Sequence, residues 1–114
     1  MVINLDEYWR RGSHWVAIFA RNPEQVFYFD SFGEPPTYKI REYLDANFKK
    51  ITVNTHPFQN FVSNVCGDYC IFFIFCMSYN INFSIFINKL RRKKYPDAFV
   101  KCFTCFLLNM YNDE

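Results

Sequence analysis

The sequence predicts a single α+β domain in which a small central β-sheet packs against helices. Short runs of β-branched and aromatic residues, separated by turn residues, predict strands in the first half of the chain. Apolar residues at three- and four-residue spacings predict helices over most of the second half. The chain of 114 residues suffices for one domain, and its 51% hydrophobic residues can form a core. Because no repeat or linker interrupts the chain, we expect residues 1–114 to form that one domain.

Four segments have the composition of strands. They are Val2–Leu5, His14–Arg21, Gln25–Phe29 and Ile51–Asn54. The intervening Asn22-Pro23-Glu24 has turn chemistry, so the second and third strands are expected to form an antiparallel hairpin. The charged segment at residues 6–13 is predicted to be a turn.

Four segments have the pattern of helices. They are Thr37–Phe48, Cys66–Tyr79, Phe83–Leu90 and Pro96–Met110. Pro96 is well placed as the first residue of the last helix. The second helix is apolar nearly all round, which is typical of a helix covered on both sides. Its apolar run is much shorter than the ~20 residues that span a bilayer, so we expect no membrane association.

Cys66 lies at the junction between a loop and the second helix, and Gly67 follows it. The positive end of a helix dipole and its unpaired N–H groups favour a thiolate, which is the nucleophilic form of cysteine. Gln59, seven residues upstream, carries a side-chain amide that can donate to an oxyanion. These residues predict a nucleophile with an adjacent oxyanion donor.

His14 begins one strand of the predicted hairpin, and Asp30 follows the other. Because the strands are antiparallel, these two ends are neighbours. An imidazole, a carboxylate that orients it, a thiol and an amide donor together make up the set that acyl transfer by cysteine requires.

Three motifs, taken in chain order, resemble those of a protease family. They are Gly-Ser-His-Trp at residues 12–15, Phe-Asp-Ser-Phe-Gly at residues 29–33, and Gln-x6-Cys-Gly-x-Tyr-Cys at residues 59–70. In this combination the chain resembles the adenovirus endopeptidase (adenain) and the wider ubiquitin-like (SUMO-type) protease clan of cysteine proteases. Members of this group occur in large DNA viruses and virus-like transposons. The resemblance covers roughly residues 2–79, and the C-terminal helices at residues 83–110 fit it loosely.

The resemblance implies a role for each matching residue. His14 is expected to be the general base and acid, Asp30 the acid that orients it, Cys66 the nucleophile and Gln59 the oxyanion donor. Two further residues, Trp15 and Gly67, are expected to support the site and the substrate, with Trp15 covering the imidazole. The fold implied is the adenain/ubiquitin-like-protease fold. Since the family usually has more chain ahead of the His strand, the domain is expected to be N-terminally truncated or minimal.

The implied activity is that of a cysteine endopeptidase that cleaves viral or transposon precursor proteins at Gly-containing sites. Two alternatives are a protease for ubiquitin-like modifiers and an inactive, partner-binding module of the same fold. The partner is a polypeptide, either a precursor or a ubiquitin-like conjugate, and the protein is expected to be a monomer. Five cysteines, an odd number, and no signal peptide predict reduced thiols in an intracellular protein. The expected location is the host cytoplasm, the nucleus or the virion.

A basic run near the C-terminus has more than one interpretation. Its cationic residues are Lys89, Arg91, Arg92, Lys93 and Lys94. Such a run is usually a solvated face, but it is also compatible with a nuclear localisation signal or a DNA contact. Adenoviral relatives use DNA as a cofactor, so DNA is a candidate activator here, although the sequence requires no cofactor.

Other chemistry-bearing residues have simpler interpretations. His56 is a rival base, but it precedes a proline in a predicted loop without an evident carboxylate partner. Asp68, in the first turn of the second helix, is explained by the helix dipole. A zinc site joining Cys102-x-x-Cys105 to Cys66 and Cys70 lacks the usual ligand spacing, so no metal is expected. A thiol-redox role for Cys102-x-x-Cys105 lacks the strand-to-helix context of such motifs. The cysteines other than Cys66 are expected to be core or near-core thiols.

Overall fold

The structure, a computed structural model, describes residues 1–5, 14–60 and 64–112. Four strands form one sheet: β1 (Val2–Asn4), β2 (Trp15–Ala20), β3 (Gln25–Phe29) and β4 (Lys50–Val53). Four helices accompany it: α1 (Tyr38–Asn47), α2 (Cys66–Ser78), α3 (Phe83–Arg91) and α4 (Pro96–Asn112). The predicted α+β class is confirmed, and the ends of the predicted elements coincide with the observed ends or differ from them by at most two residues. The turn predicted at residues 6–13 lies outside the described residues.

The sheet has the strand order β1-β2-β3-β4. β1 pairs antiparallel with β2, and β2 with β3, which confirms the predicted hairpin. The turn between β2 and β3 is closed by Asn22, whose Oδ1 accepts hydrogen bonds from the backbone N–H groups of Glu24 and Gln25, each at 2.9 Å. β4 is parallel to β3, because α1 carries the chain back across the sheet between them.

Side chains of β2 and β3 alternate between the two faces of the sheet. On one face, Val16, Ile18, Val26 and Tyr28 pack with Leu44 of α1. On the other face, a larger core joins β2 and β3 to α2, α3 and α4. Its buried members from the sheet are Ala17, Phe27 and Phe29. α2 therefore lies between the sheet and the other C-terminal helices, as its all-round apolar pattern predicts.

Cys70 and Cys76 are buried, as predicted. The prediction that Cys102 and Cys105 are core or near-core thiols is wrong. Both of these α4 cysteines are exposed. Phe103, between them, packs against Phe72 and Phe75 of α2, so the side of α4 that bears the two thiols faces away from the core. The five cysteines form no disulfide.

Candidate active site

His14 and Asp30 meet at the open end of the β2–β3 hairpin. Ala17 of β2 is paired with Phe29 of β3, so continuing this antiparallel register brings His14 level with the residues that follow β3. His14 Nε2 lies 2.9 Å from Asp30 Oδ1. The carboxylate is 1% exposed and the imidazole 20% exposed, so their interaction is only weakly screened by water.

The Asp30 backbone is held by a buried asparagine that the sequence analysis did not single out. Asn54 follows β4, the strand adjacent to β3. Its Oδ1 accepts from the Asp30 N–H at 2.9 Å, and its Nδ2 donates to the Asp30 carbonyl at 2.7 Å. The Phe32 N–H donates to Asp30 Oδ1 at 2.8 Å. Asp30 is thus fixed through both its backbone and its carboxylate.

Gly33 allows the chain to turn sharply just beyond Asp30. Its φ is +71°, a conformation that residues with a Cβ rarely adopt, and its N–H donates to the Asp30 carbonyl at 2.8 Å. A Cβ at this position would stand 2.9 Å from the Thr55 carbonyl oxygen. The glycine therefore lets the loop that follows β4 lie directly against the turn after β3.

Cys66 is the first residue of α2 and is buried. Trp15 is the first residue of β2 and follows His14, and its N–H donates to Cys66 Sγ at 3.4 Å. Burial by itself raises the pKa of the Cys66 thiol. The interaction with His14 and the backbone N–H groups of Trp15 and Gly67 outweigh that effect, so the net pKa lies below the ordinary value of a thiol.

The imidazole of His14 links the carboxylate to the sulfur. The hydrogen bond with Asp30 is the largest cause that raises the pKa of His14, followed by the interaction with Cys66, and the pKa reaches about 9 against desolvation. The second ring nitrogen, Nδ1, is buried and makes no hydrogen bond of normal length to the described residues. Contacts between catalytic groups are often long before substrate binds. The opposite pKa shifts of His14 and Cys66 favour an imidazolium–thiolate pair.

Gln59 is buried and is fixed by the residue that follows Asp30. Ser31 Oγ donates to Gln59 Oε1 at 2.5 Å, and the Ser31 carbonyl accepts from the Gln59 N–H at 3.0 Å. Because the amide oxygen accepts from Ser31, the amide nitrogen, Nε2, is the donor end of the side chain. Ser31 therefore ties the candidate oxyanion donor to the turn that carries Asp30.

Asp97 connects the loop that carries Gln59 to helices α2 and α4. Its Oδ2 accepts from the Asn60 N–H at 3.0 Å, and its Oδ1 accepts from the Tyr69 hydroxyl at 2.6 Å. Burial, followed by the Asp97 carboxylate, raises the pKa of Tyr69, so the hydroxyl remains a donor. Asp97, in the first turn of α4, thus holds the residue after Gln59 against the helix that begins at Cys66.

Two aromatic rings lie around the site. The ring packed on the His14 imidazole is that of Phe32, with a centroid separation of 4.7 Å. The sequence analysis assigned this place to Trp15 and did not consider Phe32. The indole of Trp15 lies beside Gly67, where Cδ1 would be 4.0 Å from an added Cβ.

The remaining candidates lie elsewhere. His56 is exposed, and its ring contacts Phe58. Asp68 lies in the first turn of α2, with its Oδ2 4.0 Å from Lys101 Nζ. Among the described residues, no group of three or more His, Cys, Asp and Glu side chains converges as a metal site would require. Within the same residues no helix has the length and apolarity needed to cross a membrane.

The five cationic residues of the basic run are exposed. Lys89 and Arg91 lie in the last turn of α3, and Arg92, Lys93 and Lys94 in the connection to α4. Nothing in this placement tests a DNA contact, which stays a prediction.

Comparison with known proteins gives one family and one solved structure. The model of the Ulp1 protease family, C-terminal catalytic domain, matches residues 1–104. The fold matches the crystal structure of the selenomethionine form of the ASFV pS273R protease with a TM-score of 0.54 and 29% sequence identity. That match covers 75% of this chain and 36% of the ASFV chain, so this chain spans little more than a third of the length of that relative. No curated protein matches the chain.

Proposed function

The chain belongs to the Ulp1 protease family, and we propose that it is a cysteine endopeptidase with Cys66, His14 and Asp30 as its catalytic triad. The observation that carries this proposal is the position of the His14 imidazole, which is bonded to the buried Asp30 carboxylate and coupled to the Cys66 sulfur. Asp30 supports the protonated ring, and the protonated ring supports the thiolate.

In the first half of the reaction, the Cys66 thiolate attacks the carbonyl carbon of the scissile peptide bond. The negative charge moves to the carbonyl oxygen, where the Gln59 Nε2 group and the Cys66 backbone N–H donate to it. His14 transfers its proton to the leaving amine as the C–N bond breaks, which leaves a thioester on Cys66. The hydrogen bond from Ser31 supports the role of Gln59, because it fixes the amide with its nitrogen as the donor.

In the second half, His14 removes a proton from water, and the resulting hydroxide attacks the thioester. The same two donors hold the oxyanion, the C–S bond breaks, and the carboxylic acid product leaves. Phe32, which packs on the imidazole, and Trp15, whose indole lies beside Gly67, limit the access of bulk water to the ion pair.

The proposed substrates are precursor proteins cleaved at Gly-containing sites. Conjugates of ubiquitin-like modifiers are the second candidate class, favoured by the Ulp1 family match over residues 1–104. Partner binding without catalysis is the third candidate, and the absence of turnover distinguishes it from the other two.

Hydrolysis of fluorogenic substrates distinguishes these candidates. Peptides with glycine on the acyl side of the bond represent precursors, and a ubiquitin-like protein with a C-terminal fluorogenic amide represents conjugates. We expect turnover of the peptides that Cys66→Ala abolishes. Turnover of the modifier substrate alone would favour the second candidate. No turnover of either class, or turnover that survives Cys66→Ala, would overturn the proposed mechanism.

A further inference from the structure

An apolar cavity of about 560 Å³ lies among α2, α3 and α4, away from the proposed chemistry. We refer to it as the C-terminal groove. Its apolar lining residues are Phe72, Cys76, Ile81, Phe86, Leu90 and Phe99. Burial raises the pKa of Cys76 to about 11, so its thiol is neutral at physiological pH and adds to the apolar lining. The volume lies in the range of ligand pockets, about 300–1,000 Å³.

Positive charge borders the groove. Lys89, Arg92 and Lys93 line it together with the apolar side chains, and all three are exposed. Lys93 Nζ lies 4.4 Å from the centre of the Phe99 ring. None of the three cations forms an ion pair with a carboxylate of the described residues, whereas two lysines elsewhere on the surface do. An apolar cavity with uncompensated cations at its edge is complementary to a ligand that is apolar and acidic.

The basic connection between α3 and α4 borders a second cavity as well. Lys94, which follows Lys93, lines a space of about 430 Å³ together with Gln59 and Asn60. The two cavities are thus separated by one short stretch of chain. A polypeptide held beside Gln59 lies next to this basic stretch, with the C-terminal groove on its other side.

We infer that the C-terminal groove binds a peptide segment in which a bulky apolar residue is flanked by acidic residues, and that this segment belongs to the polypeptide substrate. The apolar residue fills the groove, and the acidic residues pair with Lys89, Arg92 and Lys93. The assignment to the substrate rests on the proposed function, whereas peptide binding itself does not.

A peptide fits these observations better than nucleic acid or a fatty acid. Duplex DNA presents its phosphates outward and keeps its bases stacked, so it would pair with the cations and leave the apolar cavity unfilled. A fatty acid would fill the cavity, but it carries one carboxylate for several cations. A peptide supplies both an apolar anchor and several carboxylates.

Binding is measured by fluorescence anisotropy with the full chain and two labelled peptides. One has a central Phe flanked by glutamates, and the other has Ser in place of the Phe. We expect the exchange to Ser to weaken binding by about tenfold or more, since an apolar anchor in a pocket contributes most of the affinity. Labelled duplex DNA should bind more weakly than the Phe peptide, because it contacts the cations and leaves the apolar cavity unfilled.

A charge-matched pair of double variants tests the position of the site. Lys89→Glu with Arg92→Glu should weaken binding of the Phe peptide by about tenfold or more and reduce its salt dependence. Lys39→Glu with Lys50→Glu changes the net charge equally at exposed positions on α1 and β4, and should change binding by less than about twofold. Equal binding of the two peptides, equal weakening by both double variants, or tighter binding of duplex DNA than of the Phe peptide would overturn the inference.

Attaching the Phe segment to a substrate that the chain hydrolyses tests the link to catalysis. We expect KM to fall by about tenfold with kcat unchanged, and Lys89→Glu with Arg92→Glu to remove this gain. An unchanged KM would overturn the assignment to the substrate. If Cys66→Ala binds the Phe peptide as wild type does and wild type hydrolyses no substrate, peptide binding by the C-terminal groove is supported and the proposed function is wrong.

Discussion

At the scale of single residues, the central feature is the coupling of the Asp30 carboxylate to the Cys66 thiol through the His14 imidazole. Asp30 is buried and fixed by Asn54, and its hydrogen bond is the largest cause of the raised pKa of His14. The pKa of Cys66 falls although the thiol is buried, because the protonated ring and two backbone N–H groups compensate for desolvation. In the proposed mechanism, the reactivity of Cys66 therefore depends on a carboxylate that has no direct part in bond formation.

Asp30→Asn should move the reactivity of Cys66 to higher pH. The variant removes the main support of the imidazolium, so the pKa of His14 falls and that of Cys66 rises. We expect the pH at which Cys66 becomes alkylated by iodoacetamide to increase by about one unit or more. The rate is followed by mass spectrometry of the Cys66 peptide over a pH series. Asp45→Asn, on the exposed face of α1, is the control, and identical profiles for all three proteins would refute the coupling.

Ser31→Ala should lower kcat without changing the reactivity of Cys66. The variant removes the hydroxyl that donates to Gln59 Oε1, so the amide is less well oriented toward an oxyanion. We expect kcat to fall by about tenfold, which is less than the loss of an oxyanion donor itself, with little change in KM. Alkylation of Cys66 should proceed at the wild-type rate. Ser84→Ala, at an exposed position on α3, controls for loss of a hydroxyl, and an unaltered kcat in Ser31→Ala would contradict the role assigned to Ser31.

At the scale of elements, the ends of the helices and the hairpin were predictable because their signals are local. Asn82 accepts from the N–H groups of Ser84 and Ile85 at the start of α3, and Pro96 begins α4. The contacts between elements that are far apart in the sequence were not predictable. The parallel pairing of β4 and the bonds from Asn54 and Asp97 join residues far apart in the sequence, and a single polar residue in a loop carries no signal of its partner.

The face of α4 that contacts the core was not predictable either. Cys102 and Cys105 stand among apolar residues, but periodicity does not determine which of two apolar sides a neighbouring helix covers. The packing of Phe103 against α2 settles this, and it leaves both thiols exposed.

Loss of the Asp97 carboxylate should loosen the attachment of α4 to α2 and to the Gln59 loop. Asp97→Ala leaves the Tyr69 hydroxyl and the Asn60 N–H without this acceptor. We expect the free energy of unfolding to fall by about 1–3 kcal/mol, measured by urea denaturation. Tyr69→Phe removes the donor together with its need for a partner, so it should be less harmful. Glu42→Ala, exposed on α1, is the control, and a Tyr69→Phe effect larger than that of Asp97→Ala would contradict this account.

At the scale of the whole molecule, the packing of the sheet on the helices brings the start of β2 and the end of β3 to the beginning of α2. Phe29, which precedes Asp30, stacks on Phe73 of α2 with a centroid separation of 5.1 Å. The core thus fixes the distance between the His14–Asp30 pair and Cys66. The set of residue types was predictable from the sequence, because its motifs stand at element ends. The supporting residues Phe32, Asn54 and Asp97 were not, because their roles arise only from the packing.

Folding stability should respond to pH differently when the thiol is removed. The pKa of His14 rises from 6.5 to about 9 on folding, so its contribution is complete below pH 6.5 and is lost as the pH rises toward 9. The lowered pKa of Cys66 acts in the opposite sense, since its contribution is lost as the pH falls through the folded value. Where the Cys66 thiol is ionised in the folded state and protonated in the unfolded state, the proton that it loses on folding offsets the one that His14 gains.

In Cys66→Ser only the His14 effect remains, with Asp30 still raising its pKa. We therefore expect the free energy of unfolding of Cys66→Ser to fall, relative to wild type, by up to about 1 kcal/mol between pH 7 and 8. Urea denaturation at the two pH values measures the difference. Parallel changes in the two proteins would show that no ion pair forms on folding.

The most direct test of the central claim is selective alkylation of Cys66. The folded chain is treated at neutral pH with a limiting amount of iodoacetamide, and the modified cysteines are located by mass spectrometry in wild type and in His14→Ala. The account predicts that Cys66 reacts before the exposed Cys102 and Cys105, and that His14→Ala removes this preference. Reaction of Cys102 and Cys105 ahead of Cys66 in the wild type, or a preference for Cys66 that persists in His14→Ala, would contradict it.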